Sequence, residues 1–340
     1  MMRHTTPQHP GRHPRQRGIV LVLVLWVLLA LGLLALSFGA AVRTEVNASR
    51  NIVDQQAAYY LTRAGIDYAV YKIMEEQMNS PASRRGQLEE GLNAISEVFT
   101  GSFNLPLPGG TVEIKVSPET GKINLNGPRN DLLIFNLLVM IGLSEAEADV
   151  ITDSILDWKD PDDFRLDNGA ESAYYQSLDE PYRAKNQAFD VPEELLLVRG
   201  VTPEIYYGRK GLTQDGERAE FYGLQNYFTT FGTGRRIDVN TAPIQVLAAI
   251  PGLDYQDALR IDEMRPLTDL SEMMSRIPGM PTEVLNYLTV QRSSLVYSLD
   301  ATGRLGENRA ASRIRCVIRV GANRSRGYSV LYWNEANIEL

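Results

Sequence analysis

The stretch DSILDWKDPDDFRLDNGAESAYY, residues 153–175, holds the densest set of chemically capable side chains in the sequence. Past a helix that ends near Trp158 it offers Asp157, Asp160, Asp162, Asp163, Asp167, Asn168 and Glu171, and Pro161 and Gly169 let it turn. These are hard oxygen donors. Calcium takes about six to eight such ligands at mixed spacing. The run is no EF-hand, because counting from Asp160 puts Arg165 where that loop needs glycine. Zinc would want histidine or cysteine nearby. Two carboxylates could also serve a hydrolase, although a dense cluster suits acid–base work less well than two acids in distinct settings. A solvated loop whose first acids continue a helix face explains the same residues. Spacing alone leaves these readings open.

Composition narrows the chemistry elsewhere. The 340 residues carry a net charge of −8. All three histidines, His4, His9 and His13, lie in residues 1–18, with Arg3, Arg12, Arg15 and Arg17 and no acid. Without that segment, 30 basic residues face 42 acidic ones, net −12, and no histidine remains. Such a body has no Ser-His-Asp triad, no Cys-His pair and no imidazole ligand. Its acidity is wrong for binding nucleic acid through phosphates. Cys316 is the single cysteine, so no internal disulfide forms.

The elements that must carry the loop are readable from periodicity. VEIKV at 112–116 alternates Val112, Ile114 and Val116 against Glu113 and Lys115. RIRCVIRV at 313–320 sets Ile314, Cys316, Ile318 and Val320 against Arg313, Arg315, Val317 and Arg319. With 294–299 and 328–333, this predicts an antiparallel sheet with one buried face, and Cys316 in its core. Between the strands lie helical units broken at Gly142, Gly200, Gly252 and Gly279. Two have matching entrances, INLNGPRNDLL at 123–133 and IDVNTAPIQVL at 237–247, where Asn126 and Asn240 are expected as helix N-caps or Asx turns. These units look like helix-hairpin-helix elements, which commonly grip DNA phosphates. Here the residues past the glycines include Glu145, Glu147, Glu204, Asp254, Asp257 and Glu283, and acids at a hairpin tip repel phosphate.

Upstream, Gly18 to Val42 is a run of 25 uncharged residues. As a helix it spans about 37 Å, enough for a bilayer core of about 30 Å. It exceeds the roughly 7–15 residues of a secretory h-region, although Ala35, Ser37, Gly39 and Ala41 are small enough for a signal peptidase. Arginines before it predict a cytoplasmic N-terminus. Val53, Ala57, Tyr60, Ala64, Tyr68 and Tyr71 then recur at spacings of 4, 3, 4, 4 and 3, which extends one helix through at least residue 74.

A basic leader ending in glycine, an immediate apolar helix and an amphipathic continuation resemble type IV pilins and type II secretion pseudopilins. In that family a prepilin peptidase cuts after the glycine, here between Gly18 and Ile19. Most members carry glutamate at the fifth mature position, where this chain has Leu23. That departure, the large insert, the acids around Trp158, the Asn-Gly-Ala-Glu and Tyr pair, and YRAKNQAFDVPEELLLVRGVT at 182–202 resemble the minor pseudopilin K branch, the general secretion pathway protein K family.

The resemblance implies an α+β fold: a long N-terminal transmembrane and amphipathic helix, then a pilin-like antiparallel sheet interrupted by a large all-α, helix-hairpin-helix (SAM-like) insert. It divides the chain into a leader at 1–18, a membrane segment at 19–42, a discontinuous pilin-like domain at 43–120 and 292–340, and an inserted helical domain at 121–291. It also implies a non-enzymatic subunit at the pseudopilus tip, single-pass in the inner membrane with a periplasmic body. There it primes filament assembly and supports export of folded proteins across the outer membrane. The implied partners are minor pseudopilins I and J, other pseudopilins and the prepilin peptidase, with no nucleic acid. The Val53–Tyr71 stripe is the surface expected to meet pseudopilins. Calcium is bound by the insert in that family. This makes a structural Ca²⁺ the expected cofactor, with Asp160, Asp163, Asp167 and Glu171 as expected ligands and Asn186 as a cross-loop oxygen. A membrane-anchored DNA-uptake protein and an exported carboxylate hydrolase are the alternatives.

Overall fold

The computed structural model describes residues 17–79, 101–128, 130–212, 218–232, 236–291, 295–306, 310–321 and 327–336. The leader up to residue 16 lies outside them, and so do residues 292–294, which include the first residue of the expected strand at 294–299. The chain divides into two units, residues 1–57 and 58–340.

One helix, α1, runs from Arg17 to Asn79, as the unbroken apolar run and its amphipathic continuation predict. From residue 20 to residue 53 its side chains are exposed, and the stretch is long and apolar enough to cross a membrane. In the second unit α1 buries Ala58, Leu61, Thr62, Ile66, Ala69, Val70 and Ile73, a face with helical spacing. Gly65 lies on that face, and a Cβ there would press on Val112 and Ile114, so the glycine lets helix and sheet approach closely.

The sheet is β1 (Ser102–Leu107), β2 (Gly110–Pro118), β9 (Val296–Leu305), β10 (Ala310–Val320) and β11 (Tyr328–Ala336), in that order and antiparallel throughout. Val112, Ile114, Val116, Ile314, Cys316 and Ile318 form a core with the α1 face, as the alternation predicts. Val317, on the opposite face, is buried as well. A β-bulge falls between Val317 and Ile318. That outer side is also covered, since neighbouring Arg315 donates to Gln225 Oε1 at 2.6 Å and Ser298 donates to Glu119.

Between β2 and β9 the sheet is interrupted by the insert. In chain order it contains β3 (Ile123–Asn124), α2 (Asp131–Met140), α3 (Glu145–Lys159), α4 (Ser172–Tyr175), α5 (Pro203–Tyr207), β4 (Gly208–Leu212), β5 (Arg218–Tyr222), β6 (Phe228–Thr229), β7 (Ile237–Asp238), α6 (Ile244–Ala248), α7 (Tyr255–Glu263), α8 (Leu270–Arg276) and β8 (Leu288–Thr289). Its helices surround a core of their own that includes Leu137, Ile155, Trp158, Val246, Ile261 and Met273. Short ladders accompany the helices: β4 pairs antiparallel with β5, and two-residue parallel ladders join β3 to β6 and β7 to β8.

The matching entrances begin two copies of one unit. Ile123 N donates to Tyr227 O at 2.9 Å and Leu125 N to Thr229 O at 2.9 Å. In the second copy Ile237 N donates to Tyr287 O at 2.8 Å and Val239 N to Thr289 O at 2.9 Å. The two asparagines are not helix caps. Asn126 Nδ2 donates to Phe189 O at 2.9 Å while its Oδ1 accepts from Phe189 N at 2.8 Å. Asn240 clamps Leu267 identically, at 2.9 and 2.8 Å. The carboxamide presents a donor and an acceptor side by side, which matches one residue's backbone and brings distant chain to the entrance. The caps lie elsewhere: Ser144 with Glu147 opens α3 and Asp254 with Asp257 opens α7, both as capping boxes. Gly142, Gly200, Gly252 and Gly279 all have positive φ, as expected of hairpin glycines.

Candidate functional site

The candidate site is a carboxylate cluster at the C-terminal end of α3. That helix buries Ile151, Ile155 and Trp158 on one side, and Asp153, Asp157 and Asp160 follow at spacings of four and three. Trp158 packs edge-on against Tyr175, with ring centroids 5.2 Å apart, and Tyr175 stacks on Tyr182 at 5.1 Å. This aromatic cluster seats the returning chain beside the helix end.

Asp153 and Asp157 hold the loop by its backbone. Asn168 N donates to Asp153 Oδ2 at 3.0 Å. Leu166 N donates to Asp157 Oδ1 at 3.2 Å and lies 3.3 Å from its Oδ2. Gly169 permits this approach, since a Cβ there would overlap the Asp157 carboxylate. Arg199 lies over the Tyr174 ring at 4.9 Å and donates to Gly169 O at 3.0 Å.

So threaded, the chain brings Asp157, Asp160 and Glu171 together, each with a carboxylate oxygen within 4.8 Å of the others. Asp157 and Glu171 are buried, Glu171 being 4% exposed. Both Glu171 oxygens, Asp160 Oδ1 and Asn186 Oδ1 are buried without a hydrogen-bond partner among the described residues. Asn186 itself is anchored, its Nδ2 donating to Asp162 O at 2.9 Å and Asp163 Oδ1 at 3.1 Å, and its φ of 49° is left-handed. Burial, then the charges of Asp157, Asp160 and Asp163, pushes Glu171 up to about 7. Burial likewise raises Asp157 and Asp160.

Four buried acceptor atoms without donors, in a set of oxygen donors, fit a hard cation. An unsatisfied buried acceptor costs about 1–3 kcal/mol and more when charged, and a divalent ion would satisfy several at once. Of the residues expected from the sequence, Asp160 and Glu171 stand in this cluster. Asp163 adjoins it through Asn186, while Asp167 is exposed and outside the three-carboxylate group. Asp157 joins them. Its i, i+3 spacing to Asp160, the C-cap of α3, is the signal for it, obscured by its second task of holding Leu166.

The other expected site residues are placed as follows. Gly18 and Ile19 lie within α1. Val53, Tyr60, Ala64, Tyr68 and Tyr71 are exposed and Ala57 is half-buried, so in the second unit this stripe is distinct from the core-facing one. Cys316 is fully buried, and burial pushes its thiol up to about 12, an inert core residue.

Comparison with known proteins gives likenesses at the level of family, sequence and fold. Residues 121–208 match the model of the family Type II secretion system (T2SS), protein K. The chain is 25% identical over 344 residues to type II secretion system protein K of Aeromonas hydrophila, covering 95% of each chain. It is 28% identical over 217 residues to the protein of that name from Pectobacterium carotovorum subsp. carotovorum, which is 56% of this chain and 60% of that one. In the crystal structure of the GspK-GspI-GspJ complex of the type 2 secretion system from enterotoxigenic Escherichia coli, a chain shares the fold. Its TM-score is 0.60 at 17% identity, over 83% of this chain and 98% of that one.

Proposed function

We propose, from the premise that this chain is a type II secretion system protein K, that it is the minor pseudopilin at the pseudopilus tip. There it primes assembly with minor pseudopilins I and J and supports export of folded proteins across the outer membrane. The observation that carries this reading is the likeness to a protein K over 95% of both chains. The fold supports it: an apolar helix leads into a sheet domain whose middle is displaced by a bulky insert. Bulk of that kind would clash inside a packed filament and fits a subunit with nothing docked above it. Leu23 agrees, because a subunit at the tip has no neighbour's amine to pair with a membrane-buried carboxylate.

The helix lies in the inner membrane with its N-terminus cytoplasmic and the body periplasmic, and prepilin peptidase cuts between Gly18 and Ile19. The exposed residues Tyr60, Ala64, Tyr68 and Tyr71 face pseudopilins I and J. The role is non-catalytic. DNA grip is disfavoured, because Ser144 with Glu147 and Asp254 with Asp257 already occupy amides at the hairpin tips where phosphate would sit. Asp157, Asp160, Glu171 and Asn186 hold a structural Ca²⁺, with Asp163 beside them. The ion supplies charge neutralisation, and the chain's part is to fix its oxygens on α3 and the returning loop.

The test is co-purification. The full chain in detergent should retain pseudopilins I and J, and a variant with Tyr60, Tyr68 and Tyr71 changed to serine should lose both while remaining folded. Undiminished capture by the triple variant would sink the stripe assignment, and no capture by the wild type would sink the tip reading.

A further inference from the structure

We propose that Arg199 is a positioning residue for the cation site, an inference that rests on the calcium reading above. It lies outside the acidic loop and donates no bond to a carboxylate of the cluster. Its Nη1 reaches Gly169 O at 3.0 Å and Asn168 O at 3.4 Å. Its guanidinium lies 4.9 Å over the Tyr174 ring, and its own amide donates to Tyr175 Oη at 3.2 Å. Arg199 therefore ties the hairpin that turns at Gly200 to both sides of Glu171: the peptides before it and the tyrosines after it.

The run Asn168–Glu171 is held from two directions. On the α3 side, Asp153 takes Asn168 N, and Asp157 takes Leu166 N just ahead of the run. Those bonds alone would leave the carbonyls of Asn168 and Gly169 free to rotate the run. Arg199 takes these carbonyls, and with Gly169, Ala170 and Glu171 buried the backbone has one course. That course presents the unpartnered Glu171 oxygens to Asp157 and Asp160. One nitrogen, Nη1, reaches both carbonyls while the planar guanidinium lies over the Tyr174 ring, and a lysine ammonium would keep the first contact without the flat face that covers the ring. Outer groups that orient a metal's ligands typically govern affinity by about 10–100-fold.

The test is calorimetric titration of the full chain in detergent with Ca²⁺, paired with thermal midpoints in excess chelator. Arg199→Ala should weaken Ca²⁺ binding about tenfold or more and leave the chelated midpoint near that of the wild type. Arg199→Lys should fall between the two. If Arg199→Ala does not fold, Arg199→Lys and Tyr174→Leu carry the test, each expected to weaken binding by a smaller factor. Variants that bind as the wild type does, or that lower the midpoint equally with and without Ca²⁺, would show Arg199 to be structural only. A wild-type chain that takes up no Ca²⁺ would overturn the cation reading itself, and this inference with it.

Discussion

Glu171 is the residue on which the site's behaviour turns. Its carboxyl is held at about 7 by burial and by the charges of Asp157, Asp160 and Asp163, above its ordinary 4.5. A carboxyl raised on folding binds its proton more tightly in the native state, so the metal-free protein loses stability as pH climbs through about 4.5 to about 7. Asp157 and Asp160, raised by burial, act in the same direction. In excess chelator the thermal midpoint should therefore fall between pH 5 and pH 7.5. Saturating Ca²⁺ should diminish that fall, and Glu171→Gln should flatten the chelated curve. A midpoint that rises over this window would contradict the assignment. Sequence showed the acids but not their sorting. Asp163 and Asp167 are as acidic as Asp157 on paper, and only the folded loop buries Asp157 and leaves Asp167 in solvent.

Among the elements, strands with strict alternation were legible because one face of the sheet is packed on α1. The two-residue ladders were not, since two residues carry no period. Nor were the clamps at Asn126 and Asn240, because their partners Phe189 and Leu267 are 63 and 27 residues away. The seam between sheet and insert was also invisible. There Glu119 and Lys122 form a buried ion pair, with Ser298 of β9 donating to the same carboxylate. Removing one partner of such a pair typically costs about 3–5 kcal/mol, because the other is left charged and buried. Lys122→Met should lower stability by about that much in calorimetric unfolding, and adding Glu119→Gln should recover a good part of it. Equal losses in the single and double variants would contradict this account.

At the scale of the whole molecule the N-terminal run is one continuous helix with the first stretch of the body. The long helix was readable because no proline interrupts residues 15–80 and the apolar run passes directly into a stripe with helical spacing. Processing is read by mass: the mature chain isolated from cells with the matching prepilin peptidase should begin at Ile19. A start near Ala41 would mean a discarded signal sequence and would remove the filament role. The duplication inside the insert bears on how the acidic segment is accommodated. Between the helix and the residue gripped by asparagine, the second copy spends residues 264–266, and the first spends 160–188. The same two anchor points thus tolerate a span of three residues or of 29. Closing the longer span costs only about 2 kcal/mol more. The architecture behaves as a socket, indifferent to the length of what is plugged into it, and the acidic segment is the module that fills one of its two ports.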